Sequence, residues 1–147
     1  MKKQLFISAL SLALLSPLAQ AQFSKPEDAI KYRQSSFTVI ANHFSRIGAV
    51  VKGEKPFNKE EVAANAAVVA SLSHLPWSAF GPGTEGGKAQ PEIWKEADKF
   101  KAAGDKMQKA VADLNTAAKS GDLETIKKAF GATGQTCKAC HDNYRKK

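Results

Sequence analysis

The chain has 147 residues, 43% of them hydrophobic, and carries 22 Lys and Arg against 14 Asp and Glu for a formal net charge of +8 at pH 7. That length suits one domain with a single core, long enough that disulfide stapling is not required. The lysines are spread along helical faces and are not gathered into a stripe interleaved with aromatics, which argues against nucleic-acid binding.

The first 21 residues read as a secretory signal peptide, with Lys2 and Lys3 as a positive start, Leu5 to Leu15 as an apolar core and Ala19-Gln20-Ala21 as a cleavage site. The apolar run is short for a membrane span and is broken at Pro17. Cleavage after Ala21 leaves residues 22–147, which is 147 − 21 = 126 residues. Without Lys2 and Lys3 the positive count falls from 22 to 20 against 14 acids, about +6. No later segment is long and apolar enough to span a membrane. A basic surface of this kind steers acidic partners such as redox proteins.

The remainder reads as four helices without strand alternation. The first starts at Ser24-Lys25-Pro26-Glu27, a capping-box pattern with Pro in the first turn. It carries Ile30, Phe37, Ile40, Ala41, Phe44, Ile47 and Val51 at helical spacing, and Gly53 and Pro56 end it. The second starts at Asn58-Lys59-Glu60-Glu61, buries Val62, Ala66, Val69, Ala70 and Leu72, and closes at Pro76. Residues 76–90 form the one long loop, where Gly81-Pro82-Gly83 and Gly86-Gly87 exclude regular helix. A loop of that length often carries function.

The third helix begins at Pro91 and places Ile93, Ala97, Phe100, Gly104, Met107, Val111, Leu114 and Ala118 on a heptad seam. Ser120-Gly121 ends it and Asp122 caps the fourth. There the seam runs Leu123, Ile126, Phe130, Thr133, Cys137, Cys140 and Tyr144, with Gly131 and Gly134 as weak points. Both cysteines therefore face the core. The expected fold is all-α, an up-down-up-down antiparallel four-helix bundle.

Cys137-Lys138-Ala139-Cys140-His141 is the attachment signature of a c-type haem. On a helix, positions i and i+3 share a face, so both thiols reach one porphyrin edge. The next residue, His141, is then placed as the proximal iron ligand. A thioredoxin-type motif opens a helix after a strand, whereas this one closes a helix in an all-helical chain. A zinc site needs a fourth ligand, and His43 and His74 are remote in sequence. A plain disulfide leaves His141 unexplained. Export fits haem c, because attachment to reduced thiols takes place outside the cytoplasm in many bacteria.

Only six residues follow His141, so a sixth iron ligand has to come from the first three helices. Past residue 21 the candidates are Met107, His43 and His74. Met107 reads as a core filler, His43 as partly exposed and off the seam, and His74 as a cation near a helix C-terminus. None is well placed, which points to five-coordinate iron with an apolar vacant side.

The chain resembles the cytochrome c′ family over residues 22–147. The likeness rests on Lys31-Tyr32-Arg33-Gln34, on the run Leu75 to Thr84 (Leu-Pro-Trp-Ser-Ala-Phe-Gly-Pro-Gly-Thr), and on Cys137 to Arg145. That family is itself a standard example of the up-down bundle, so the fold it implies adds no independent weight to the helical reading. The resemblance implies that Arg33 and Gln34 contact the haem edge, with Arg33 offering charge to one propionate. It gives Thr84 or Lys88 to the other propionate. Phe37 matches the position covering the distal face, where relatives often carry Leu and Met-ligated relatives carry the ligand itself. Arg145, four residues after His141, is placed on the same helical face as a proximal modulator.

The implied function is a periplasmic haem protein, not an enzyme, that binds NO and CO at a dry, Phe37-guarded iron and sequesters NO. The alternative is a simple one-electron carrier with an unknown redox partner. A homodimer through the first two helices is also implied, with Val39, Val50 and Val68 at its surface.

Overall fold

The computed structural model describes residues 22–147; the expected signal peptide, 1–21, lies outside the described residues. Five α-helices follow in order: α1 Pro26–Val51, α2 Lys59–Leu72, α3 Glu92–Lys95, α4 Ala97–Ser120 and α5 Leu123–Tyr144. A 3₁₀ turn, Pro76–Phe80, follows α2. The four long helices close a ring in which α1 packs on α2, α2 on α4, α4 on α5, and α5 back on α1. This is the expected four-helix bundle. Among the described residues there is no strand, only one isolated antiparallel bridge between Ala89 and Arg145, and no helix is long and apolar enough to cross a membrane.

The helix ends follow local chemistry. Asn58 caps α2, its Oδ1 accepting from the Glu61 N–H at 2.8 Å, and Asp122 caps α5 by accepting from the Glu124 and Thr125 N–H groups. Gly121 stops α4 in the left-handed conformation, φ 77°, which costs a glycine little. The Ser24 capping box does not form. Lys25 occupies the N-cap without a side-chain bond, leaving Pro26 to start α1.

Other expectations need correction. The third helix is split: Glu96 leaves helical geometry at φ −122°, ψ 45°, separating α3 from α4. The break shifts the phase, so Ala97 is exposed while Ile93 and Phe100 stay buried. Ala41 is exposed, and Val50, expected at the surface, is 8% exposed and belongs to the core. Gly131 and Gly134 do not loosen α5, which runs unbroken through both.

The core has two characters. One end of the bundle is aliphatic, built from Ile47, Val62, Ala66, Leu114, Ala118 and Ile126. The other end is aromatic. Trp77 sits among Phe37, Phe80 and Phe100 with ring centroids 6.0, 6.5 and 5.7 Å away. Between the two ends, Phe44 of α1 stacks on Phe130 of α5 at 4.2 Å. The aromatic end receives both cysteines.

Candidate haem site

α5 carries the Cys137-x-x-Cys140-His141 run in its last two turns. Both thiols are free and half-buried, and each meets a different apolar cluster. Cys137 packs against Ile40, Val69, Met107 and Val111 in company with Phe37 and Trp77. Cys140 packs against Ala89, Ile93 and Phe100 in company with Phe80, Trp94 and Tyr144. The i,i+3 spacing therefore straddles two walls of one aromatic region. Trp77 belongs to both clusters and joins them.

These surroundings set the thiol chemistry. Burial raises the pKa of Cys137, and burial followed by the neighbouring Cys137 pushes Cys140 up to about 11. Both are neutral thiols near pH 7 and lie against apolar surface, which disfavours thiolate metal binding. Among the described residues no three His, Cys, Asp or Glu side chains gather in a metal-holding group. His141 stands at the surface. Shielding of its ring, followed by the charge of Arg145, lowers its pKa, so the imidazole is neutral and available as a ligand.

A cavity of about 500 Å³ opens beside the Cys140 wall, within the usual size range of ligand pockets. Trp77, Phe80, Ile93, Trp94 and Phe100 line it, with His74, Lys101 and Asp105 at its edge. Gly104 also contributes. A Cβ there would stand 3.0 Å from the Trp77 ring, so the glycine admits the indole. The cavity shares Phe80, Ile93, Trp94 and Phe100 with the Cys140 cluster, and this apolar, aromatic wall fits a planar apolar macrocycle.

The remaining expected site residues divide. Phe37 is half-buried in the Cys137 cluster with its ring edge toward Trp77, so the structure brings it together with the attachment run. Met107 is 4% exposed in the same cluster. Arg33 is 3% exposed and turned inward. Its Nη1 donates to Ala79 O at 2.6 Å and Thr84 O at 2.8 Å, and its Nη2 to Gly86 O at 3.1 Å. Gln34 is exposed against Gly87. Thr84 Oγ1 donates to Gly81 O at 2.7 Å, holding the loop's own turn. Lys88 is exposed, and its carbonyl accepts from the Lys146 N–H at 2.9 Å.

Arg145 departs from its expected place. α5 ends at Tyr144, and Arg145 is extended (φ −115°, ψ 129°), so it does not continue the helical face of His141. Its N–H still reaches back to His141 O at 3.1 Å, while its backbone pairs with Ala89.

Two contributors, Trp94 and Ala89, had no mark in the sequence pattern, and Tyr144 was placed only on the α5 seam. Trp94 donates from Nε1 to Gly81 O at 3.1 Å and covers the Arg33 guanidinium. Ala89 and Tyr144 join the loop to the end of α5. Trp94 was open to detection as a second large aromatic just after the Gly-Pro run. The Ala89 pairing was not, because a bridge of one residue pair has no periodicity.

Comparison with known proteins decides the family. A profile described as Cytochrome C′ matches residues 28–145. The chain belongs to the cytochrome c′ family. It is 54% identical over 126 residues to cytochrome c′ of Alcaligenes xylosoxydans xylosoxydans, covering 86% of this chain and 99% of that protein. It is 52% identical over 129 residues to cytochrome c′ of Rubrivivax gelatinosus, covering 86% of this chain and all of that one. A nitric oxide complex of a mutant of cytochrome c prime from Alcaligenes xylosoxidans superposes with a TM-score of 0.84 at 53% identity, covering 86% of this chain and 99% of that one. As a cytochrome c′, the chain carries one covalent c-type haem, and it has two cysteines in all. The family's proteins are haem carriers and gas-binding proteins, outside the usual enzyme classes.

Proposed function

We propose that this chain is a periplasmic cytochrome c′, cleaved after Ala21, that holds NO and CO at a five-coordinate haem and so sequesters NO. In this reading Cys137 and Cys140 attach the haem and His141 is its protein ligand. The bound haem supplies an iron centre with affinity for diatomic gases.

The carrying observation is the chemistry around Phe37. Its cluster consists of Ile40, Val69, Met107, Val111, Ala70, Leu72 and Phe44 with Trp77 and Cys137. The one N–H donor on those side chains, Trp77 Nε1, is already committed to Ser73 O at 2.6 Å. A site with no free donor does not stabilise bound O2, which depends on a hydrogen bond, whereas NO and CO are far less dependent on one. Phe37 crowds that site and excludes water from it. Arg145 supplies a cation near His141. The solved NO complex of a cytochrome c prime mutant at 53% identity supports the gas-binding reading. Arg33, Gln34, Thr84 and Lys88 are proposed to border the haem edge, Arg33 now from within its bonded loop. A homodimer through α1 and α2 has Val39 at its surface, 43% exposed.

One observation favours the alternative, a one-electron carrier. Met107 lies in the Cys137 cluster, where a thioether is a plausible sixth ligand. An optical titration separates the two. Ferric and ferrous spectra of high-spin type, with ferrous bands that change on adding NO, are expected. Low-spin ferrous bands unmoved by NO and CO would establish the carrier instead.

A further inference from the structure

Arg33 is a buried cation, and among the described residues it has no carboxylate at ion-pair distance. Its charge meets three neutral carbonyls and two ring faces, Phe80 at 4.6 Å and Trp94 at 5.7 Å. Besides the charge it is proposed to offer the haem edge, the guanidinium adds geometry. Its rigid fork donates to the carbonyls of residues 79, 84 and 86 together only when the loop has one shape.

That loop is fixed at its other end to the tail of α5. The Gln90 N–H donates to Tyr144 O at 2.9 Å, the Lys146 N–H to Lys88 O at 2.9 Å, and Ala89 pairs with Arg145. Only Gly87 separates the last Arg33 contact, Gly86, from the first clamp residue, Lys88. Gly87 has φ +58°, and a Cβ there would stand 2.8 Å from Gln34 Nε2 and 3.0 Å from Ile30 Cγ2. The strap therefore passes close against α1 at this point, where a side chain would collide. From Arg145 the path closes through its N–H to the carbonyl of His141.

We propose that Arg33 is a positioning residue for the proximal end of the site: through the strap of residues 79–90 it fixes residues 144–146 and, through Arg145, His141. The inference rests on the assignment of His141 as the iron ligand, and its test has a readout that does not depend on gas binding. In the haem-loaded protein, Arg33→Met is expected to speed amide exchange at Gln90 and Lys146 about tenfold or more, as loss of a charged hydrogen-bonding group from a local unit does. The amides around Leu114, at the far end of the bundle, keep their rates. Arg33→Lys keeps the charge and loses the fork, so it follows Arg33→Met.

A chain ending at Arg145 lacks the Lys146 N–H and speeds Gln90 exchange in the same way. The Lys146→Gln, Lys147→Gln double variant keeps that N–H and does not. Combining Arg33→Met with the truncation adds little to either, the mark of a shared element. The iron–histidine stretching frequency of the ferrous protein shifts in Arg33→Met. Should Arg33→Met not accumulate, Gly87→Ala strains the strap without touching Arg33 and is expected to give the same exchange pattern.

Unchanged exchange at Gln90 and Lys146 in Arg33→Met overturns the proposal. So does wild-type behaviour of Arg33→Lys, or an iron–histidine frequency that stays fixed while exchange accelerates. A wild-type spectrum with no iron–histidine mode removes the assignment of His141 instead, and the exchange rates then report on the strap alone.

Discussion

The two ends of the bundle use the same four helices for different purposes. At the aliphatic end, Ile47, Val62, Leu114 and Ile126 are each 1% exposed or less. They interdigitate without a polar atom, and cap residues finish the helices there, Asn58 on α2 and Asp122 on α5. At the aromatic end the corresponding layer is looser. Phe37, Trp77, Phe80, Trp94 and both cysteines are only half-buried, and a cavity of about 500 Å³ opens beside Trp77, Phe80 and Trp94. The first end supplies stability. The second is left incomplete by its own side chains, which is what a covalently attached planar group requires of its surroundings. Close packing at one end lets the other keep space without unfolding the whole.

Mutations at the two ends should therefore separate stability from ligand chemistry. The largest stability effect is expected from Leu114→Ala, a fully buried side chain at the centre of the aliphatic cluster. It should cost about 3 kcal/mol in chemical denaturation, with the haem spectrum of the folded protein unchanged. A loss below about 1 kcal/mol would show that this end does not carry the fold. Phe37→Ala should do the reverse. It loses less stability, because Phe37 is only half-buried, and it should speed CO and NO association about tenfold or more by removing the ring from the guarded side. Flash-photolysis or stopped-flow rates equal to wild type would remove Phe37 from its role. Asn58→Ala, at the capped rim of the aliphatic end, removes one capping bond. About 1 kcal/mol is expected in denaturant unfolding, with ligand rates untouched.

The same division explains how much was legible in the sequence. Helix periodicity gave the four long helices, because each carries an apolar face at regular spacing, and the C-x-x-C-H run marked the attachment segment without any contact information. Cap residues with an oxygen at the right offset, Asn58 and Asp122, were readable. Ser24 was not decisive, because Pro26 set the helix start one residue closer. The phase shift at Glu96 hid behind a heptad pattern that runs smoothly through Ala97, although the backbone does not. Least legible was the strap. Arg33 is expected at the haem edge only through the family resemblance, and nothing in the sequence marks the three carbonyls 46 to 53 residues away onto which it turns. Such a bond depends on tertiary placement alone, and neither period nor spacing carries it.

The smallest expected effect lies back at the aliphatic end and depends on pH. The Asp122 carboxylate accepts from the Glu124 and Thr125 N–H groups at 3.3 and 3.1 Å, and from the Thr125 hydroxyl. These bonds lower its pKa below the ordinary value of 3.8, the Thr125 hydroxyl contributing most. A carboxyl with a lowered pKa in the folded state binds its proton more readily when unfolded. Its contribution to stability is present above pH 3.8 and is lost as pH falls through the lower folded value. Asp122→Asn keeps a capping oxygen and cannot ionise. The stability gap between wild type and Asp122→Asn should then hold steady from pH 7 to about 5 and close as the solution is acidified past the ordinary aspartate range. The group is exposed, so added salt should shrink the gap at neutral pH as well. A gap independent of both pH and salt would mean that the cap acts through its oxygen alone. The helix-end charge, which favours an anion at this position, would then contribute nothing measurable to the end of the bundle that holds the fold together.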